Sequence, residues 1–336
     1  MQNNKSTIYD LARMADVSAT TVSAVLSGNW RARRIGEETA RRVLALAAEH
    51  SFSVNRQASG LRKRRSGLIG MIIPLHDNRF FSGMAQTFEK LARQRHLYPI
   101  VVSTLRDTKL ELETVRTLIS YRVESLIVAG ATDPDSISEV CRSHGIAHVN
   151  VDLPGTKTTS VISDNFWGAQ QLTLALIERS KPQRSQARNR PYFVGGLPTD
   201  YATQRRMQGF SEAVRAKLGE LRPEQVDACG YDPDLAEAHV AALHKRLKGL
   251  PRALFVNSTI ALEGVVRFLK TLPHDELLGC TFGCYDWDPF AGMLAFPLLM
   301  VRQNVDGLLE QAFTVLDGGQ PDKPSVIEIR PMLVFG

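Results

Sequence analysis

Ser18, Thr20, Thr21 and Ser23 set four small hydroxyls within six residues, and Asn29, Arg31, Arg33 and Arg34 follow closely. Hydroxyls and amides hydrogen-bond to base edges, and guanidinium groups pair with phosphate oxygens. The charge of the chain agrees with that chemistry. Residues 1–65 carry twelve Lys/Arg against five Asp/Glu, leaving 29 basic and 30 acidic residues of the chain's 41 and 35 for the remainder. A basic end on a nearly neutral body is the footprint of a polyanion binder. A localisation signal or a solvated face would also be basic, but neither requires the apolar spacing around these hydroxyls.

Two short helices must hold the hydroxyls on one face. Thr7 can cap the first, with Asp10 at its third position as a capping-box variant. Ile8, Leu11 and Ala12 give that helix one apolar side, and Ala15, Asp16 and Val17 make a tight connection. Ser18 can cap a second helix over 19–26, with Val22, Val25 and Leu26 facing inward. A third helix is expected over 37–50, opened by Glu37 and Glu38, whose charges favour a helix N-terminus. An ordinary helical hairpin would share much of this pattern; a helix-turn-helix explains the outer hydroxyls as well.

The order I-Y-D-L-A-x-x-A-x-V-S-x-T-T-V-S-x-V-L-S over 8–27 resembles the DNA-binding headpiece of the lactose-repressor (LacI) family of bacterial transcription regulators. N-R-x-A-x-x-L over 55–61 resembles that family's hinge helix. The resemblance implies DNA contacts from Thr7, Ser18, Ala19, Thr20, Thr21, Ser23, Asn29, Arg31 and Arg34 in the headpiece. From the hinge it implies Asn55, Arg56, Ala58 and Leu61, with Leu61 as a minor-groove wedge. The loop over 28–34 is long and resembles the fructose-repressor branch. Departures stand out: alanine at positions 19 and 24, where the family often has longer side chains, and Val54 where it has proline. The implied domains are a headpiece at 1–53, a hinge and basic linker at 54–66, and an effector-binding and dimerisation domain at 67–336.

From Gly67 onward, apolar strand-like runs alternate with amphipathic helices. Strands are expected over 67–74, 98–103, 125–130, 147–151 and 159–162, then over 192–196, 253–256 and 279–283. Helices are expected between them. Repeated β-α units in two sets imply two doubly wound subdomains with a ligand cleft at their strand ends. The α-helical helix-turn-helix headpiece is thus followed by an α/β domain resembling the periplasmic-binding-protein-like effector domain of the same family. That resemblance implies ligand contacts from His76, Phe81, Asp152, Arg206, Tyr231, Asn257, Cys284 and Gln303. Leu153 stands where the fructose branch often has arginine, and Cys284 where the family usually carries an aspartate. Asp286, in the next turn, is the alternative acid.

Catalysis finds no footing: G-x-S-x-G, H-E-x-x-H, Walker and G-x-G-x-x-G patterns are absent. Cys141, Cys229, Cys280 and Cys284 are scattered, and no histidine stands at metal spacing to them, so neither cofactor nor metal is expected. There is no N-terminal apolar signal region and no membrane-length apolar run. The expected protein is a cytoplasmic repressor of carbohydrate-use genes, working as a homodimer on a pseudo-palindromic double-stranded DNA operator. Its effector would be a sugar or sugar phosphate, or alternatively a purine or another small metabolite. A sugar-binding protein or an enzyme with a fused helix-turn-helix are the rival readings.

Overall fold

The computed structural model describes residues 7–50, 52, 66–182, 186–319 and 323–335. The chain forms two compact units, divided at Ser66 and Gly67.

In the N-terminal unit, α1 (Ile8–Met14), α2 (Ala19–Leu26) and α3 (Glu37–Glu49) follow in order. The capping box at Thr7 and Asp10 is formed: the Thr7 hydroxyl accepts from the Asp10 amide, and the Thr7 amide donates to the Asp10 carboxylate at 2.9 Å. Asp16 turns the chain between α1 and α2 with φ +48°. Leu11, Val22, Val25, Ala40 and Val43 form a small apolar core, with Trp30 packed at its edge. The apolar spacing in the sequence is therefore what closes the three helices around one another.

The larger unit contains two six-stranded sheets. In the first, β1 (Leu68–Ile73), β2 (Tyr98–Ser103), β3 (Ser125–Ala129), β4 (Ala147–Val151), β5 (Ser160–Ser163) and β11 (Val326–Ile329) run parallel in the order β11-β5-β4-β3-β1-β2. In the second, β6 (Pro191–Val194), β7 (Val226–Asp227), β8 (Ala253–Val256), β9 (Thr281–Tyr285), β10 (Leu298–Arg302) and β12 (Met332–Phe335) take the order β12-β10-β9-β8-β6-β7. Only β12 is antiparallel to its neighbour among these pairings.

Both sheets are covered on both faces, which is why the central strands are continuous apolar runs. On the first sheet, α4 (Arg79–Gln94) packs on one face with α12 (Val305–Asp317), and α5 (Thr108–Ser120) and α6 (Pro134–Ser143) pack on the other. On the second, α7 (Asn165–Ser180) and α8 (Tyr201–Leu218) cover one face. The helices α9 (Pro233–Leu247), α10 (Thr259–Leu269) and α11 (His274–Leu278) cover the other. The chain crosses between subdomains after β5, after β10 and between β11 and β12, so neither subdomain is continuous in sequence.

Several elements fall where the sequence places them, residue for residue: α2, β2, β4 and β8. One boundary moves with consequence. The strand expected over 279–283 runs instead as Thr281–Tyr285, because Gly279 ends the short helix α11. Helices α9 and α11 and strands β7, β10, β11 and β12 were not anticipated by the spacing.

Candidate functional sites

The headpiece presents Thr7, Ser18, Thr20, Ser23, Asn29, Arg31 and Arg34 exposed, with Ala19 and Thr21 half-buried. Ser18 caps α2, accepting from the Thr21 amide at 3.1 Å. Its hydroxyl also lies 2.7 Å from that of Thr20 and 2.9 Å from that of Thr21. These hydroxyls therefore form a short polar chain at the helix N-terminus, where the amide dipoles favour an anion. The Arg31 guanidinium sits 4.9 Å from the Trp30 ring centroid, and Trp30 is itself anchored on the headpiece core. Asn55, Arg56, Ala58 and Leu61 lie outside the described residues.

The second site lies where the carboxyl ends of the two sheets face each other. Asp152 leaves the end of β4 with φ +76° and is 7% exposed. Burial pushes its carboxyl up to about 7; Asp200 and Asp286 work in the same direction, against Arg206 and Arg106. Asp286 leaves the end of β9 with φ +72°. Its Oδ1 accepts from Gln303 Nε2 at 2.6 Å, and its Oδ2 lies 3.9 Å from Arg206 Nη1.

Arg206 is the buried cation of the group, 3% exposed on α8. Nε donates to Asn165 Oδ1 and Nη1 to the Asn257 carbonyl, each at 2.8 Å. The guanidinium carbon stands 3.8 Å from the Tyr285 ring centroid. Burial works against this charge, but Asp286, Tyr231 and Tyr285 more than offset it and hold the pKa above its ordinary value. Gly209, one helical turn on, makes the placement feasible: a Cβ there would stand 2.3 Å from the Phe166 carbonyl, so only glycine lets α8 lie this close to α7.

Tyr231 donates to Asp200 Oδ2 at 3.0 Å and stands 2.9 Å from the Thr203 hydroxyl. Burial raises its phenol to about 12, so it remains a neutral donor. Asn257 is fully buried, and neither atom of its side-chain amide makes a hydrogen bond of ordinary geometry. Gln303 Oε1 is likewise buried and unpartnered. Buried polar atoms without partners are costly and point to an absent hydrogen-bonding ligand. A cavity of about 460 Å³ adjoins the group, lined by Arg79, Gln86, Thr259, Asp286, Trp287 and Gln303 among others. Arg79, one of the lining residues, donates to Asp288 at 3.0 Å.

Of the residues singled out in the sequence, Asp152, Arg206, Tyr231, Asn257 and Gln303 gather here. Cys284 lies in the apolar core, 0% exposed, and its Sγ donates to the Tyr285 carbonyl. Because β9 ends two residues later than expected, Asp286 takes the lip of the sheet. Phe81 is a core residue, 4% exposed, with the Arg106 guanidinium 6.0 Å from its ring centroid. His76 is exposed, and no described contact joins it to this group. Asn165, Asp200 and Arg106 were missed. Asp200 had a signal, as the N-cap of α8, where it accepts from the Thr203 amide; Arg106 had none.

A polar, partly unsatisfied cleft between two doubly wound subdomains, carried on a chain with a helix-turn-helix, defines a ligand-responsive regulator. The chain belongs to the LacI family of bacterial regulatory proteins. Residues 7–55 match "Bacterial regulatory proteins, lacI family", and residues 66–271 match "Periplasmic binding proteins and sugar binding domain of LacI family". It is 46% identical over 192 residues to the ribitol operon repressor of Klebsiella aerogenes, covering 57% of this chain and 71% of the relative. Identity to the sucrose operon repressor of Klebsiella pneumoniae is 32% over 277 residues, 80% of this chain and 79% of the other. In fold it is similar to the lac repressor dimer bound to operator and an anti-inducer, with TM-score 0.81, 18% identity and 98% of each chain covered. It is also similar to the Cra dual regulator of Pseudomonas putida in complex with fructose 1-phosphate (TM-score 0.70, 22% identity, 80% of this chain and 98% of that one). No described helix is long and apolar enough to cross a membrane.

Proposed function

We propose that this regulator represses a polyol- or sugar-use operon and that its effector is a neutral polyhydroxylated molecule held between Asp152, Arg206 and Asp286. The observation that carries this reading is the charge balance of the cleft. Three carboxylates (Asp152, Asp200 and Asp286) face the buried Arg206, which is already bonded to Asn165 and Asn257. Carboxylates accept from adjacent hydroxyls and Asn257 adds a donor, while Arg206 and the exposed Arg106 do no more than balance the three acids, so a phosphate dianion would find no net positive charge among these groups. The kinship to the ribitol operon repressor supports a polyol as the first compound to try.

The headpiece would read one half of a pseudo-palindromic operator, with a second copy of the chain reading the other, since site and protein symmetry correspond. Ligand binding would close the cleft and shift the two subdomains, and the shift would act on the hinge at 54–66. Its size is bounded by the ligand's differential affinity for the two states. A cytoplasmic location follows from that role, and the protein acts by binding rather than by turnover.

Selection of bound duplexes from a random library, followed by anisotropy titration with and without ribitol, tests the reading. Enrichment of a palindrome whose affinity responds to ribitol or a related polyol supports it. A palindrome that responds only to phosphorylated sugars overturns the effector assignment, and failure to enrich any sequence overturns the operator assignment.

A further inference from the structure

Asp227, Cys229 and His239 come together at the edge strand of the second sheet and are none of the residues assigned to the cleft. Asp227 ends the edge strand β7, Cys229 follows in the loop, and His239 projects from α9. One ligand atom from each lies within 4.8 Å of the other two. His239 Nδ1 stands 2.7 Å from Asp227 Oδ2, and the two side chains are 42% and 43% exposed. Nine residues lie between Cys229 and His239, outside the spacing of common zinc motifs, which is why no metal motif marks the group in the sequence.

We infer that these three side chains form a binding site for a divalent transition metal of the zinc type. A thiolate, an imidazole and a carboxylate together favour zinc over magnesium or calcium, which prefer oxygen ligands alone. With metal–nitrogen and metal–sulfur bonds of about 2.0 and 2.3 Å, a tetrahedral site needs its ligand atoms about 3.5 Å apart. The three donors, all within 4.8 Å of one another, differ from that separation by roughly 1 Å. On binding, the Cys229 thiol releases its proton, His239 ligates through Nδ1 as the neutral tautomer with its proton on Nε2, and water completes the fourth position. The Asp227 backbone is fixed by the Gly195 amide, which donates to its carbonyl at 2.9 Å, so one wall of the site is rigid. Tyr231, two residues beyond Cys229, is bonded to Asp200 and Thr203. A bound metal therefore fastens to α9 the loop that leads to Tyr231.

The other three cysteines, Cys141, Cys280 and Cys284, are buried, so a metal–thiolate signal in the folded protein has one source. The test is cobalt(II) titration of the full, untagged chain, read by its near-ultraviolet thiolate-to-cobalt charge-transfer band and by displacement with zinc(II). The wild type should show the band saturating at one cobalt per chain. Cys229→Ser should lose it and His239→Gln should weaken cobalt binding, both with unchanged circular dichroism and metal-free melting temperature. Absence of the band in the wild type, its persistence in Cys229→Ser, or unchanged affinity in His239→Gln would each overturn the site.

Discussion

Asp152 and Asp286 occupy the same place in two copies of one topology. The sheet orders superpose strand for strand, β4 on β9, and each acid is the first residue past its strand, with φ +76° and +72°. The left-handed backbone is uncommon for residues other than glycine, and aspartate and asparagine tolerate it best. Both carboxylates are thereby turned into one cleft from opposite sides, with Arg206 between them in charge.

The first consequence concerns pH. The Asp152 carboxyl titrates near 3.8 in an unfolded chain and at about 7 in the folded one. Between those values the folded protein holds a proton that the unfolded chain gives up, so stability falls as pH rises through this window and levels off above about 7. The full effect is a few kcal/mol. Asp152→Asn, which keeps the left-handed backbone, should remove this loss. Melting curves at pH 6 and pH 8 should show a wild-type decrease that the variant lacks, while the variant binds effector more weakly.

Gly196 offers a second test. Its φ is +84°, and a Cβ there would stand 2.4 Å from Asn257 Nδ2 and 2.6 Å from the Thr203 hydroxyl. Gly196→Ala should destabilise the protein by about 1–3 kcal/mol in denaturant titration. It should also abolish ligand binding, because the residues it displaces are those that face the ligand. Stability and binding both at wild-type level would show that this turn is not part of the site.

In the headpiece, Arg31, Arg33 and Arg34 are exposed beside the anchored Trp30. Binding to operator should weaken log-linearly with salt, and each arginine replaced by alanine that contacts a phosphate should reduce the slope by about one. Ser18→Ala should in addition cost about 1 kcal/mol of headpiece stability through loss of the α2 cap. Filter binding across salt concentrations, with thermal melts alongside, separates the two effects.

Arg79, which lines the cavity, pairs with Asp288 at 3.0 Å, with the arginine 47% and the aspartate 28% exposed. Such a pair contributes about 1 kcal/mol or less. Asp288→Asn should therefore change effector affinity by less than about fivefold and speed ligand release, measured by stopped-flow fluorescence of Trp287. A loss of binding altogether would make Asp288 a ligand contact rather than only the partner of Arg79.

How much of this was legible in the sequence depended on the range of the interaction. Strands such as β4 and β8 are short apolar runs with clear edges, and α2 has a serine cap and inward valines, so local pattern sufficed. Strand β9 follows α11 with only Gly279 and Cys280 between them, in a stretch of apolar residues that carries no internal boundary. Cys284 was singled out by its place in the family pattern, with Asp286 as the alternative acid, and the strand end at Tyr285 leaves Asp286 as the first residue past β9. Arg106, Asn165 and Asp200 are brought to the cleft by separate loops and by chain crossings between subdomains, which no periodicity reports. The edge strands β11 and β12 are short and half-exposed, and their pairing is set by the sheets they join rather than by their own composition.

The cleft around Arg206 is proposed to hold a neutral polyhydroxylated effector. Calorimetric titration of the wild type and Arg206→Ala with ribitol, related polyols and sugars, and their phosphate esters tests it most directly. At least one neutral compound should bind the wild type at least about tenfold more tightly than its phosphate ester, a difference of about 1.4 kcal/mol. Arg206→Ala should lose that binding while retaining operator affinity. Tighter binding of the phosphate ester, or an undiminished titration with Arg206→Ala, would contradict the account.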